Sequence, residues 1–396
     1  MSDAEREGWT RLRITDIADF GSGAGISVAK LSSRSPANPV PVFGGNGIAG
    51  FTASATVQTP TVIIGRVGQK CGSVYTNNGP AWITDNALYA RRFRTLTDVP
   101  FLSLALEAAR LNDVRNHNDL PLITQGILRD VTIPWPVAIN EQRAIASALS
   151  SAGELIEALE RQIAKKQAIK QGLSQQLLTG SSRLPGFMAK WDEVSLGEAG
   201  TISGGGVDKN SNPGEESVRL LNYMDVYRAE FVTSATATQV VTAPTAKLTK
   251  CAVRAGDVFF TPTSETPDDI ARSAVASCDL PGVVYSYHLV RWRPFDEWDS
   301  SYLAYAFSTE RFRRQASIMA AGSGTRYVVS MPAFRSLVAL RPPVEEQRAI
   351  GSVLRDASTE IESLRSRLAK ARAIKTGMMQ QLLTGRTRLP AKEAAA

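Results

Sequence analysis

The sequence predicts an α+β protein: two mixed α/β domains separated by two long helices that pair as a coiled coil, with a pseudo-twofold, circular organisation. Three observations carry this. Glu141-Gln142-Arg143-Ala144-Ile145 returns as Glu346-Gln347-Arg348-Ala349-Ile350, Gln175-Gln176-Leu177-Leu178-Thr179-Gly180 as Gln380-Gln381-Leu382-Leu383-Thr384-Gly385, and Arg183-Leu184-Pro185 as Arg388-Leu389-Pro390. The spacing is always 205 residues, and 26 of the 45 positions aligned between 141–185 and 346–390 are identical. A repeat of this quality means that one structural unit occurs twice in the chain. The repeated segments have helical apolar spacing, and the segments between them are rich in Gly, Val, Thr and Tyr.

The helices are justified by periodicity and by their ends. Ile145, Leu149, Ala152, Ile156, Leu159 and Ile163 follow 4-3-4-3-4 spacing, as do Ile350, Leu354, Ala357, Ile361, Leu364 and Leu368. That is the seam of a coiled coil, and a seam of this kind needs a partner. The other copy is the nearest one, and packing of each helix on its own domain or on another protein is the alternative. Asn140 is the expected N-cap, with Pro134, Pro136, Pro342 and Pro343 just outside the starts. Gly180 and Gly385 are expected stops, with Pro185 and Pro390 beyond. A helix from 141 to 179 would be about 57 Å long. Ser150-Ser151-Ala152-Gly153 is a possible kink or restart, with Ser151 and Glu154 as a capping box.

Between the helices, 61–65 and 255–260 read as strands, and 100–111 and 300–314 as helical stretches. Trp9 through Gly21-Ser22-Gly23 aligns with Trp191 through Ser203-Gly204-Gly205 at an offset of 182 residues, so the second domain carries 23 more residues than the first. The division is 1–135, 136–185, 186–341 and 342–396: domain, helix, domain, helix. Past Arg183 the chain runs on to Trp191. Arg388 stands near the end and Trp9 near the start, so the C-terminus looks ready to meet the N-terminus.

Bulk properties narrow the function. The chain has 396 residues, net charge +7 and three cysteines, Cys71, Cys251 and Cys278, with no Cys-x-x-Cys. That argues against a disulfide framework and a structural zinc site. The charged start is unlike a signal peptide, and no apolar run reaches the roughly 20 residues that span a bilayer. The expectation is a soluble cytoplasmic protein without a membrane partner. Asp19-Phe20-Gly21-Ser22-Gly23-Ala24-Gly25 resembles a cofactor loop but lacks the flanking strand and helix, and reads better as a turn after the first strand. His117 and His288 are the only histidines. No catalytic, cofactor-binding or metal residues are expected.

The domains do carry basic, amide and aromatic side chains beside glycine-rich turns. The candidate DNA-binding residues are Asn46, Arg66, Gln69, Lys70, Arg91 and Arg92 in the first domain, and Asn222, Tyr223, Thr263, Ser264, Tyr287 and Arg326 in the second. Arg, Asn and Gln read base edges bidentately, while Lys, Ser and Thr hold phosphates.

Taken together, the repeated Glu-Gln-Arg-Ala-Ile and Gln-Gln-Leu-Leu-Thr-Gly motifs resemble the two helical regions of the specificity subunit of type I restriction–modification systems. Pro41-Val-Phe-Gly-Gly-Asn-Gly-Ile-Ala-Gly-Phe51 with Ile63-Ile-Gly-Arg-Val-Gly68 looks like one kind of its target-recognition domain. Arg219-Leu-Leu-Asn-Tyr-Met-Asp-Val-Tyr227 with Gly256-Asp-Val-Phe-Phe-Thr-Pro-Thr-Ser-Glu-Thr-Pro267 looks like another. The resemblance implies antiparallel helices, double-stranded DNA read as two half-sites, docking of two methyltransferase subunits that bring S-adenosylmethionine, and separate restriction subunits where the system has them. It also implies that this chain is not an enzyme. The alternatives are a stand-alone DNA adenine methyltransferase with unrecognised motifs and a coiled-coil scaffold that does not bind DNA.

Overall fold

The computed structural model describes residues 8–114 and 121–389. His117, the charged start 1–7 and 390–396, which includes Pro390, lie outside the described residues. Two helices dominate the chain, Ile139–Thr179 and Val344–Leu382. The first begins before Asn140, which is therefore helical and not the N-cap; the Glu141 and Gln142 N–H groups both donate to the Ala138 carbonyl. It also runs unbroken through 150–153, so neither the kink nor the capping box at Ser151 forms.

The chain forms two compact units. One is Arg161–Arg365, and the other takes the described residues on either side of it. Each unit therefore holds one of the two α+β regions and part of both long helices. In the first unit, strand Trp9–Arg13 pairs antiparallel with Thr132–Pro136. A four-stranded antiparallel sheet has the order Ala18–Ser22, Ala87–Phe93, Val62–Gly65, Val74–Thr76, and a three-stranded sheet adds Gly47–Thr52, Val40–Gly44 and Trp82–Ile83. Asp19 to Ser22 thus lie in a strand, and the expected turn begins only at Gly23. Helix Val99–Ala108, capped by Asp98, buries Phe101, Leu102, Ala105 and Leu106 against this framework.

The second unit repeats the base of the first and enlarges its outer part. Strand Asp192–Ser195 pairs antiparallel with Val338–Arg341, and helix Ser300–Ala306 is capped by Asp299. The expected helical stretch at 300–314 is two helices, Ser300–Ala306 and Glu310–Met319. A five-stranded sheet packs Val258, Phe260 and Trp292 into the main core. A four-stranded sheet builds a second core around Leu220, Val241, Val253, Val283 and Val284. Its counterpart in the first unit is a small cluster around Phe43, Ile63 and Ile83.

The helix seam is divided between two jobs. Ile145 and Leu149 are fully buried in the first unit's core with Phe101, Ile133, Trp135, Leu382 and Leu383, and Ile350 and Leu354 are buried in the second unit's core with Leu177, Leu178 and Tyr302. These four positions meet domain side chains as well as the opposite helix. Leu159, Ile163, Ile361 and Leu364 are buried outside those cores, whereas Ile156 and Leu368 stay half-buried. The pairing is antiparallel within each unit. In the first, Glu141 meets Arg388 and Glu160 meets Arg372. In the second, Arg183 meets Glu346 and Lys166 meets Glu360.

Candidate nucleic-acid interface

The repeated motifs form a joint that occurs once in each unit. In the second unit the Glu346 carboxylate, 0% exposed, accepts from Arg183 Nε and Nη2 at 2.5 Å each and from Trp191 Nε1 at 2.8 Å. Arg183 also lies over the Trp191 ring, 5.0 Å from its centroid. In the first unit Glu141 accepts from Arg388 Nε (2.9 Å) and Nη2 (2.8 Å) and from Trp9 Nε1 (3.1 Å). Gly180 and Gly385, at φ +70° and +66°, bring the chain against those Trp rings, and a Cβ on Gly385 would stand 2.8 Å from Trp9. Glycine adopts this left-handed turn without steric cost.

The glutamine of the motif makes the second half of the joint. The Asp98 N–H donates to Gln142 Oε1 (2.8 Å), while Gln142 Nε2 donates to the Leu96 and Pro136 carbonyls (3.1 and 3.0 Å). Likewise the Asp299 N–H donates to Gln347 Oε1 (3.0 Å), and Gln347 Nε2 donates to the Pro342 carbonyl (2.8 Å). Each aspartate then caps a domain helix through the Phe101 or Tyr302 N–H. Asp98 and Asp299 escaped the sequence reading, although Asp before an apolar helical run is an N-cap signal.

On the outer part of the second unit, Tyr287 and Arg326 are brought into one patch. Tyr287, 46% exposed, lies against His288 with ring centroids 3.9 Å apart and planes tilted by 36°. His288 is close enough to Lys209 and Arg326 for both to act on its ionisation. Burial first, then Lys209 and Arg326, holds the imidazole below its usual range, with Asp208 opposing. The turn beneath the patch needs glycine: a Cβ on Gly206 would stand 2.2 Å from the Tyr285 carbonyl oxygen. We predict that Lys209→Gln raises the His288 pKa, and that adding duplex DNA to the unmodified protein raises it further. With only two histidines in the chain, imidazole NMR against a His288→Gln reference reads both shifts; an unmoved titration would count against this electrostatic patch.

Other candidates in this unit are committed internally. Tyr223 Oη donates to the Thr263 carbonyl (2.6 Å), and its ring stacks on Tyr227. Asn222 Nδ2 donates to Gln239 Oε1 (2.7 Å), leaving its Oδ1 buried and unpartnered. Ser264 Oγ donates to the Thr266 carbonyl, and Thr263 and Ser264 form a short half-buried strand. A groove of about 1750 Å³ beside helix Glu310–Met319 is lined by several arginines, but Arg272 and Arg313 there serve Asp269, and Arg311 serves Glu193.

In the first unit, Asn46 is exposed at the turn between Val40–Gly44 and Gly47–Thr52. The loop carrying exposed Gln69 and Lys70 packs beside it, since a Cβ on Gly45 would lie 2.9 Å from the Val67 carbonyl oxygen. Arg66 and Arg91 converge on Ser22: Arg66 Nη1 donates to its Oγ (2.9 Å) and Arg91 Nη2 to its carbonyl (2.6 Å). Arg92 pairs with Asp19, as does Arg94, which the candidate residues had omitted. The strand pair Ala18–Ser22 and Ala87–Phe93 thus carries Arg91 and Arg92, with Arg94 just past its end.

Two unlike α+β regions, joined by the same Glu–Trp–Arg lock to paired antiparallel helices and presenting basic, amide and aromatic side chains on exposed turns, define a duplicated recognition protein. Residues 6–171 match the type I restriction modification DNA specificity domain. The chain is similar to the type I restriction enzyme MjaVIII specificity subunit of Methanocaldococcus jannaschii, 23% identical over 299 residues, which are 73% of this chain and 70% of that one. It is also similar to the EcoprrI specificity subunit of Escherichia coli, 26% identical over 140 residues, 35% of this chain and 34% of that one. In fold it matches the type I S subunit from M. genitalium with a TM-score of 0.64 at 14% identity, over 95% of this chain and 96% of that one. A chain from a structure of complex assembly and conformational transition of the type I R-M system gives 0.57 at 16% identity, over 97% and 100%. The chain thus carries, over residues 6–171, the type I restriction modification DNA specificity domain, and over nearly its whole length it has the fold of type I S subunits.

Proposed function

We propose that each recognition region reads one half of an interrupted duplex DNA target, and that the long helices keep the two readings at a fixed gap. The same helices carry two methyltransferase subunits, with restriction subunits joining where the system has them. Those methyltransferases bring S-adenosylmethionine, and this chain itself performs no catalysis. Its working division is 1–135, 136–185, 186–341 and 342–396, and its compartment is the cytoplasm, where the DNA is. Among the described residues no helix is long and apolar enough to cross a membrane.

One observation carries this reading. The joint at Glu141 and the joint at Glu346 use the same residue types in the same way, while the outer surfaces they support differ in sheets, cores and side chains. Like joints suit two copies of one partner, and unlike surfaces suit two different half-sites. The test replaces residues 1–135 with the region of another specificity subunit and sequences the methylome of cells carrying the chimaera with its methyltransferase. One half-site should change while the other half-site and the gap stay. Affinity should fall with salt at about 0.9 log units per log unit for each phosphate contacted. A target that changes in both halves would sink the proposal, and S-adenosylmethionine binding by the purified chain alone would replace it with a stand-alone methyltransferase.

A further inference from the structure

We propose that the two-stranded ribbon 321–328 enters the major groove of the DNA half-site read by the second region, and that Arg326 reads a guanine there. This rests on the reading just given and adds the element, the groove and the base. The ribbon consists of Ala321–Ser323 and Arg326–Val328, in the register Ala321↔Val328, Gly322↔Tyr327 and Ser323↔Arg326. Every residue from 321 to 326 is exposed. An isolated hairpin is marginal in water, so this one is held at its root. Val328 and Tyr327 pair with Thr263 and Ser264 of a third strand. The Val329 N–H donates to the Pro262 carbonyl (2.9 Å), the Val329 side chain is buried, and Tyr327 packs on the main core. Two glycines shape the tip. Gly324 turns the chain at φ +66°, and Gly322, at φ +149°, has the Arg326 carbonyl oxygen 2.2 Å from where a Cβ would be.

A rigid root under a bare tip is the form of a probe. Paired strands lie about 4.8 Å apart, and a B-DNA major groove about 12 Å wide admits a two-stranded ribbon. Charge favours DNA as the occupant. Among the described residues the Arg326 guanidinium has no hydrogen bond or ion pair, so its fork is available. His288 lies within electrostatic reach of both Arg326 and Lys209. The carboxylates nearby are Asp208, which accepts the Lys209 N–H (2.6 Å), and exposed Glu265 beside the root. Bidentate donation to guanine O6 and N7 is the commonest specific use of an arginine in that groove.

The test uses the full chain with its methyltransferase subunits and selects bound sequences from a random duplex pool. The unmodified protein should return a bipartite target with a guanine in the half-site that a second-region swap alters. Arg326→Ala should relax that one position and weaken binding to the original site by about 10- to 100-fold. Arg326→Lys, which keeps the charge and loses the fork, should relax the same position with the salt slope unchanged. A 7-deazaguanine at that position should weaken the unmodified protein and leave Arg326→Ala unaffected. An unaltered target for Arg326→Ala, uniform weakening across all sequences, or indifference to 7-deazaguanine would each overturn the inference while leaving half-site reading intact. If the unmodified complex selects no sequence at all, the half-site reading falls first and takes the inference with it.

Discussion

Glu346→Ala is expected to destabilise the second unit by about 3–5 kcal/mol, whereas Glu141→Ala at the matching joint should cost about 1–2 kcal/mol. The contacts are nearly the same, so burial decides the difference. Glu346 is 0% exposed, and its partner Arg183 is 27% exposed. Deleting the carboxylate strands a half-buried guanidinium and the Trp191 indole N–H, and water cannot replace three lost hydrogen bonds there. At the first joint the Glu141 and Arg388 side chains are 12% and 54% exposed, so solvent both screens the pair and rehydrates the arginine. Guanidinium unfolding of each variant, followed by Trp fluorescence because Trp9 and Trp191 each belong to one joint, measures both costs. Equal costs would mean that the joints are governed by the ion-pair count and not by burial.

These joints also show what could be read from the chain alone and what could not. The helices were legible because a 205-residue repeat and a 3.5-residue apolar period are local patterns. The joint was visible only as recurring letters. Glu141 finds Arg388 247 residues away, and Glu346 finds Trp191 155 residues away. No spacing rule connects such pairs before the strands Trp9–Arg13 and Asp192–Ser195 are placed. The second job of the seam's ends was hidden for a physical reason. A helix end beside a β-framework buries Ile145 or Ile350 in that framework, with the same periodicity as a coiled coil. At the interface, exposure was the missing information. Tyr287 and Arg326 share a patch because a hairpin returns the chain to His288, while Tyr223 and Ser264, of equally suitable chemistry, spend their hydroxyls on nearby carbonyls.

Position 230 is where the two units cease to be copies, and Glu230→Ala should loosen the second recognition region from the helix pair. Glu230 accepts from Lys170 Nζ on the first long helix, from Tyr305 Oη (2.9 Å) and from Ser358 Oγ on the second long helix (2.9 Å). Lys170 Nζ also lies 5.0 Å from the Tyr305 ring centroid, and Arg355 stacks over Phe231. One carboxylate thus ties three helices together, and burial holds the Tyr305 hydroxyl protonated far above its usual range. Glu230 is partly exposed, so its removal should cost about 2 kcal/mol and not the full penalty of a buried charge. A double-mutant cycle with Lys170→Met should return a coupling of about 1 kcal/mol. Hydrogen exchange should quicken in helix Ser300–Ala306, and DNA affinity should fall without any change in the bases preferred. A zero coupling would reduce the cluster to surface contacts. The repeat explains why this tie has no twin. Lys170 has its counterpart in Lys375, but Ser358 is matched by Gly153, which has no hydroxyl to offer, and Lys375 lies instead within electrostatic reach of Glu107. The helices repeat closely where they make the two joints, and differ where each must seat its own recognition region.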